Sequence, residues 1–396
     1  MRVLFTCHPG FGTFVPLTPF ARALAQAGHD VAFGTPEFLR ETVEVAGFRW
    51  IRAGVENDDP EMAVARATMQ ELRGVEQLKF TYDQIFASIR PRRLVPELLA
   101  LAESWRPDLF VRDSREFGAL VTADLLGAPY ATVEVHAAGA RPRATSMLYE
   151  PLQRLRASFG LPERDIQGWM DRYLVLMPFP SSLTTVGDPI GPTTHYVRTM
   201  PPDVAEGGLP PWLDEIGSRP LVYLSLGTAF NGARGPEIFS KLLAGLRDLD
   251  AEVVLTVGRD LEPGTFGPQP AHIHLERFLP LGPLLPHCSL VLFHGGSGTL
   301  VQAVAHALPM VILPLGADQP DNAVRCAELG VSRTLDQADL TPEQIREVVL
   351  DVLHTPSYRQ SAERLRAEFD ALPGQEFAVE LLERLARDRA PVIAAR

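Results

Sequence analysis

Residues 290–299 read Leu290-Val291-Leu292-Phe293-His294-Gly295-Gly296-Ser297-Gly298-Thr299. Four apolar residues run straight into glycines, and a helical pattern starts at Thr299. Glycine lets backbone approach an anion closely, and the unpaired N–H groups of a helix start attract negative charge. Ser297 or Thr299 is placed to cap that helix and touch a phosphate oxygen. His294, at the strand end, is within reach of a diphosphate. A merely tight turn would need glycine only for sterics, and three glycines in four residues after a histidine favour the cradle. The string lacks the G-x-x-x-x-G-K-[ST] spacing of a Walker-type nucleoside triphosphatase.

The same strand–loop–helix unit recurs on both sides of this stretch. Upstream come the strand Leu221–Ser225, a helix near Pro236–Leu246 and the strand Val253–Thr256, and Val311–Leu313 follows downstream. Nearer the start, Val3–Cys7, a Gly/Pro loop over His8–Thr13, a helix over Val15–Gln26 and a strand at Val31–Phe33 repeat the theme. Leu109–Arg112, a helix over Phe117–Leu126 and Ala131–Val135 repeat it again. Continuous apolar strands alternating with amphipathic helices predict parallel sheets covered on both faces. Residues 187–220 are dense in Pro and Gly and form the best linker. The expectation is an α/β protein of two Rossmann-like halves facing across a cleft, with domains at 1–200 and 201–375. A final amphipathic helix in 376–396 is expected to pack back on the first half.

The totals fit that picture. The chain has 396 residues, 46% hydrophobic and 22% charged, with a net charge of −12. The acidic balance argues against nonspecific nucleic-acid binding. Cys7, Cys288 and Cys326 match no metal-ligand spacing and read as small buried hydrophobes in a reducing compartment. No segment reaches about 18 apolar residues, so no membrane span and a cytoplasmic location are expected. The sequence leaves the oligomeric state open, a homodimer included.

His294-Gly-Gly-Ser-Gly-Thr299, then Pro309–Pro314, then Asp318-Gln319-Pro-Asp-Asn322 resembles the donor-binding signature of inverting GT-B glycosyltransferases. Among these it is similar to the actinobacterial enzymes that decorate antibiotics, such as those of the calicheamicin pathway, one of which glycosylates a hydroxylamino oxygen. The resemblance implies transfer of a deoxysugar from a nucleotide diphosphate donor, expected to be a dTDP-sugar, to a large apolar acceptor such as an enediyne, macrolide or polyketide. It implies no cofactor and no metal. It places His294, Gly295 and the amides of Gly296, Ser297, Gly298 and Thr299 on the diphosphate, and Asp318 and Gln319 on sugar hydroxyls, whose O–H groups both can accept. Arg277, Phe278 and Leu279 would face the base, and Ser225, Gly227 and Thr228 would close over the phosphates. A plainer role for Asp318 is a helix cap.

The first half departs from that family pattern. Its usual G-H-x-x-P-L general base falls at Thr13, in Gly12-Thr13-Phe14-Val15-Pro16-Leu17, while Asp113 matches the usual acidic partner. Threonine is no base near neutral pH, and a positioned base contributes roughly 10²–10⁴-fold. An acceptor more acidic than an alcohol would need less help, with Thr13 positioning it. His8 or His136 could serve instead, or the chain could be an inactive homologue. Gly10, Phe11 and Gly12 are read as the place where the acceptor approaches, and Phe80, His136 and Met147 as part of its pocket, although core packing is the plainer role for any one aromatic or Met. Asp248-Leu249-Asp250 reads as a solvated turn. Competing readings are a sugar-nucleotide epimerase of the same fold, a nicotinamide-dependent oxidoreductase, for which the glycine fingerprint at Gly10–Val15 is incomplete, and a non-catalytic binding partner.

Overall fold

The computed structural model describes residues 1–138, 140–184, 187–188, 190–200, 208–227, 235–258 and 261–394, and of residues 140–145 only the helical backbone. Seven strands form the first sheet: β1 (Arg2–Thr6), β2 (Asp30–Thr35), β3 (Arg49–Arg52), β4 (Leu109–Asp113), β5 (Tyr130–Val133), β6 (Leu174–Met177) and β7 (Thr194–Tyr196). They lie in the order β3-β2-β1-β4-β5-β6-β7. The second sheet contains β8 (Leu221–Ser225), β9 (Glu252–Thr256), β10 (Ile273–Glu276), β11 (Leu290–Phe293), β12 (Met310–Ile312) and β13 (Ser332–Thr334), in the order β10-β9-β8-β11-β12-β13. Every described pairing is parallel. The central strands are buried along their whole length, as sheets sandwiched by helices must be.

Strand order reverses between β1 and β4 in one sheet and between β8 and β11 in the other. At such a switch point neighbouring loops leave in opposite directions and open a crevice at the carboxyl ends of the strands. The loop after β1, the end of β4, the end of β8 and the loop after β11 all lie there. They carry His8 to Thr13, Asp113, Ser225 and His294, so both sets of candidate residues stand at a crevice for topological reasons.

Three details differ from the sequence expectation. Gly10–Thr13 is not all loop, because a helical turn spans Phe11–Phe14. The helix after β11 begins at Ser297, two residues early, because extended Gly296 (φ −66°, ψ 137°) already ends the loop. The Pro/Gly-rich stretch 187–220 is not only a linker: it holds β7, paired with β6, and the short helix Pro211–Glu215, whose Leu213 enters the core of the second half.

The chain crosses back at its end. The helix Gln375–Asp388 buries Ala378, Leu381, Leu382 and Leu385 in the core of the first half. Beyond it, Val392 donates its backbone N–H to the Tyr173 carbonyl at 2.8 Å, and Ala394 to that of Pro192 at 2.8 Å.

Candidate active site

The C-terminal wall of the crevice is built on glycine. Gly227 has φ +73°, and a Cβ there would lie 2.6 Å from His294 Cε1. A Cβ on Gly296 would lie 2.5 Å from His294 Nε2. The imidazole is therefore held between two stretches of bare backbone. Burial pushes His294 down to about 4, against the opposing pull of Asp318 and the Ser225 backbone. In the free protein at neutral pH it is therefore uncharged.

Neither Ser297 nor Thr299 caps the helix Ser297–Ala305, which corrects that expectation: among the described residues its start carries no side-chain cap. Ser297 is buried and turned elsewhere. Its hydroxyl donates to Asp318 Oδ2 at 2.6 Å and accepts from the Ala137 backbone N–H at 2.9 Å. Asn322, fully buried, ties the knot: its Nδ2 donates to the Gly295 carbonyl at 2.8 Å, Asp318 Oδ2 at 2.9 Å and Ser297 Oγ at 3.1 Å. Its Oδ1 accepts from the Ala138 backbone N–H at 3.0 Å. Asp318 stands at the start of its helix but makes no capping bond, contrary to the plainer reading.

Gln319 is buried and its amide oxygen accepts from the backbone N–H groups of Leu315, at 2.7 Å, and Gly316, at 2.9 Å. That oxygen is occupied in shaping the loop. Ser225 is buried and its hydroxyl accepts from the Gly227 N–H at 3.2 Å. Thr228 lies outside the described residues. Arg277 is ion-paired with Glu262, Phe278 is exposed, and Leu279 is buried in the core, so only Phe278 presents its side chain to solvent as an apolar surface.

On the N-terminal wall, Thr13 and Asp113 do not touch each other. They hold the two ends of one residue. The Asp113 carboxylate accepts from the backbone N–H of His8 and, at 2.6 Å, of Arg115, while the Thr13 hydroxyl donates to the His8 carbonyl and lies 2.9 Å from that of Gly10. Burial raises the Asp113 carboxyl, and these backbone bonds pull it partly down again. The pair fixes the first loop; it is not a hydrogen-bonded dyad. Gly12 has open space where a side chain would be, and Gly10 has ordinary contact with Thr13.

His136 stands beside Glu134, with Nδ1 3.5 Å from its Oε1. Glu134 is buried and also accepts from Ser114 Oγ at 2.6 Å. Phe80 and Met147 do not join His136; they line a separate open groove of about 1310 Å³ with Lys79, Asp83, Glu150 and Arg154. Trp169, Tyr173 and Met177 are core residues. Sequence reasoning missed Arg115, which is buried with its guanidinium 5.7 Å from the Tyr82 ring centre. Burial opposes its charge, yet Tyr82, Glu134, Asp113 and, from the opposite wall, Asp318 hold the guanidinium above its ordinary value.

Asp248 and Asp250 of the D-x-D string are exposed and ion-paired with Arg346 and Arg219. Among the described residues no group of three or more His, Cys, Asp or Glu could hold a metal ion, and no helix is long and apolar enough to cross a membrane.

Residues 240–385 match the erythromycin biosynthesis protein CIII-like C-terminal domain. The 10-deoxymethynolide desosaminyltransferase of Streptomyces venezuelae is 30% identical over 434 aligned positions, covering 100% of each chain. Among solved structures, the spinosyn rhamnosyltransferase SpnG superposes with a TM-score of 0.82 at 25% identity, covering 97% of this chain and 100% of that one. SpnG has also been solved with thymidine diphosphate and with spinosyn aglycone. The calicheamicin glycosyltransferase CalG4 has the same fold, with a TM-score of 0.79 at 22% identity and 98% of each chain covered. None of these relatives is an epimerase or an oxidoreductase. A glycine-clamped histidine at the end of one parallel sheet, facing Asp113 and Arg115 at the end of the other, is thus met in a chain that belongs to the GT-B glycosyltransferases of antibiotic biosynthesis.

Proposed function

We propose that this glycosyltransferase moves a deoxysugar from a dTDP-linked donor to a large apolar natural product, an enediyne, macrolide or polyketide, in one inverting displacement without a metal ion. One observation carries the reading: the uncapped start of the helix Ser297–Ala305, faced by His294 between Gly227 and Gly296. First-turn N–H groups and the helix dipole favour the charge that grows on a departing diphosphate, and fixed donors of this kind need no reorganisation as it leaves. Asp318 keeps Oδ1 clear of its hydrogen bonds to Ser297 and Asn322, which use Oδ2, and is placed to accept from sugar hydroxyls.

In the displacement the acceptor oxygen bonds to the anomeric carbon as that carbon's bond to the diphosphate oxygen breaks. Thr13 contributes position and not basicity, since its hydroxyl is directed to the His8 carbonyl. An acceptor oxygen that is acidic, of phenolic or hydroxylamino kind, has lost or readily loses its proton to water. The dTDP-bound spinosyn enzyme and the desosaminyl-transferring relative support the donor class.

The test is dTDP release from a dTDP-sugar with and without acceptor. His294→Ala is expected to lower kcat about 10²–10³-fold, as removal of one preorganised donor does elsewhere. Unchanged turnover in that variant would remove the cradle from the mechanism. Isomerised sugar nucleotide formed without any acceptor would favour an epimerase instead.

A further inference from the structure

The first loop holds no receiver for an acceptor's proton. The Thr13 hydroxyl is directed to the His8 carbonyl, and the Asp113 carboxylate accepts from the backbone N–H groups of His8 and Arg115. The end of β5 offers a receiver. Val133 pairs in register with Asp113 of β4, and His136 follows three residues later at the same end of the sheet. Two anchors fix the loop that carries it. Before it, Glu134 is buried, and its Oε1 accepts from Ser114 Oγ at 2.6 Å, the Val135 N–H at 3.0 Å and the His136 N–H at 3.2 Å. After it, the Ala137 and Ala138 N–H groups bond across the crevice to Ser297 and Asn322, the two residues that also hold Asp318. His136 therefore stands one residue from a contact with the opposite wall.

The ring has a covered edge and an open one. Nδ1 is covered, makes no hydrogen bond and lies 3.5 Å from Glu134 Oε1. The side chain is 19% exposed, and since Nδ1 is covered, the open edge is the one that carries Nε2. A carboxylate only accepts, so beside Glu134 the proton of a neutral imidazole belongs on Nδ1, and Nε2 keeps its lone pair. Contacts of this kind are often long in a free enzyme and tighten once substrate is in place. A charge on His136 is felt by Asp113 and by His8 of the first loop, so ring and loop border the same space.

We propose that His136 is a catalytic residue, the general base that takes the acceptor's proton on Nε2, with Glu134 as its positioning residue. The inference rests on the transferase reading above and serves an acceptor oxygen that still carries its proton. That oxygen bonds to the anomeric carbon as its proton passes to Nε2. The bond from the same carbon to the diphosphate oxygen breaks, and the diphosphate leaves with the electron pair. The Glu134 carboxylate stabilises the imidazolium, which then returns its proton to water.

The experiment measures dTDP release from dTDP-rhamnose with para-cresol and with para-nitrophenol, acceptors of similar shape of which only the second is largely ionised at neutral pH. His136→Gln is expected to lower kcat about 10²–10⁴-fold with para-cresol and at most about tenfold with para-nitrophenol, with dTDP affinity by calorimetry unchanged. Glu134→Gln keeps an oxygen for Ser114 and the loop N–H groups, and is expected to lower kcat with para-cresol at least about tenfold at unchanged KM. Nitrogen NMR of the histidine rings, with His136 assigned by its absence from the His136→Gln spectrum, is expected to show Nε2 without a proton in the neutral wild-type ring and a mixture of tautomers in Glu134→Gln. This measurement needs no acceptor and decides the matter if neither phenol is turned over. Equal losses with both phenols in a variant that still binds dTDP, no loss with either, or Nε2 carrying the proton of the neutral wild-type ring overturns the proposal. A wild type that binds no dTDP would instead count against the transferase reading.

Discussion

The two walls of the crevice are built in opposite ways. On the C-terminal wall, Ser297, Asp318, Gln319 and Asn322 satisfy one another and the backbone, and the imidazole is clamped by glycines. On the N-terminal wall, Arg90 and His8 have covered polar atoms without partners. A site for a constant ligand can be closed in advance around a few helix amides. A site for a variable ligand leaves donors for that ligand to complete, at some cost in stability. The C-terminal wall is therefore closed by its own hydrogen bonds, and the N-terminal wall is not.

The sharpest way to break the contrast is Gly227→Ala. A side chain at φ +73° is strained, and its Cβ would strike the His294 ring at 2.6 Å. Turnover is expected to fall at least about 100-fold, the equivalent of nearly 3 kcal/mol, with dTDP affinity, measured by calorimetry, falling alongside. Wild-type affinity would mean that the clamp does not matter.

Asn322→Leu tests whether the donor wall is truly a closed network. It strands the Gly295 carbonyl and the Ala138 N–H, and removes one of the two bonds to Asp318 Oδ2; buried groups left without a partner cost about 1–3 kcal/mol each. Calorimetry should show a Tm lower by several degrees. Because Ala137 and Ala138 bond to Ser297 and Asn322 across the crevice, KM for the acceptor should rise as well. A change confined to stability would limit the residue to folding.

A smaller effect follows from pH. His294 is held near 4 in the free protein. An adjacent diphosphate favours the imidazolium, so its value rises on binding and a proton is taken up. Affinity for a dTDP-sugar, whose esterified diphosphate does not titrate here, should then increase as pH falls from 7 towards 5, by at most about tenfold per unit. His294→Gln should flatten that slope; a wild-type affinity that falls on acidification contradicts the assignment. Smallest of all, Glu262→Gln removes an exposed ion pair with Arg277 and is expected to change stability by less than about 1 kcal/mol, as chemical denaturation would show.

The architecture was legible because a parallel sheet repeats its signal: the central strands are short apolar runs, and most are followed by a helix. The cradle was legible because its chemistry is local, ten consecutive residues at a strand–helix junction. What could not be read depends on distance in sequence. Asn322 lies four residues after Asp318, hence on the same helix face, and that spacing was an available signal. Its bond to Ala138, 184 residues away, was not. Arg90 sits in a long helical run whose charge pattern looks like any solvated face, and the residues gathered around it come from the ends of β1, β2 and β4 as well as its own helix. The Ser297 cap failed for the same reason: a local rule lost to tertiary partners.

The return of the last helix to the first half has its own consequence. Polypeptide passes between the halves twice, once between Tyr196 and Pro211 and again near Pro373, where Arg198 donates its backbone N–H to the Pro373 carbonyl at 2.7 Å. Two neighbouring strands of chain behave like paired pins and favour rotation about one axis over free swivelling. A fragment cut at the first crossing would lack its closing helix, so reconstitution from separately made halves requires residues 375–394 to travel with the N-terminal piece.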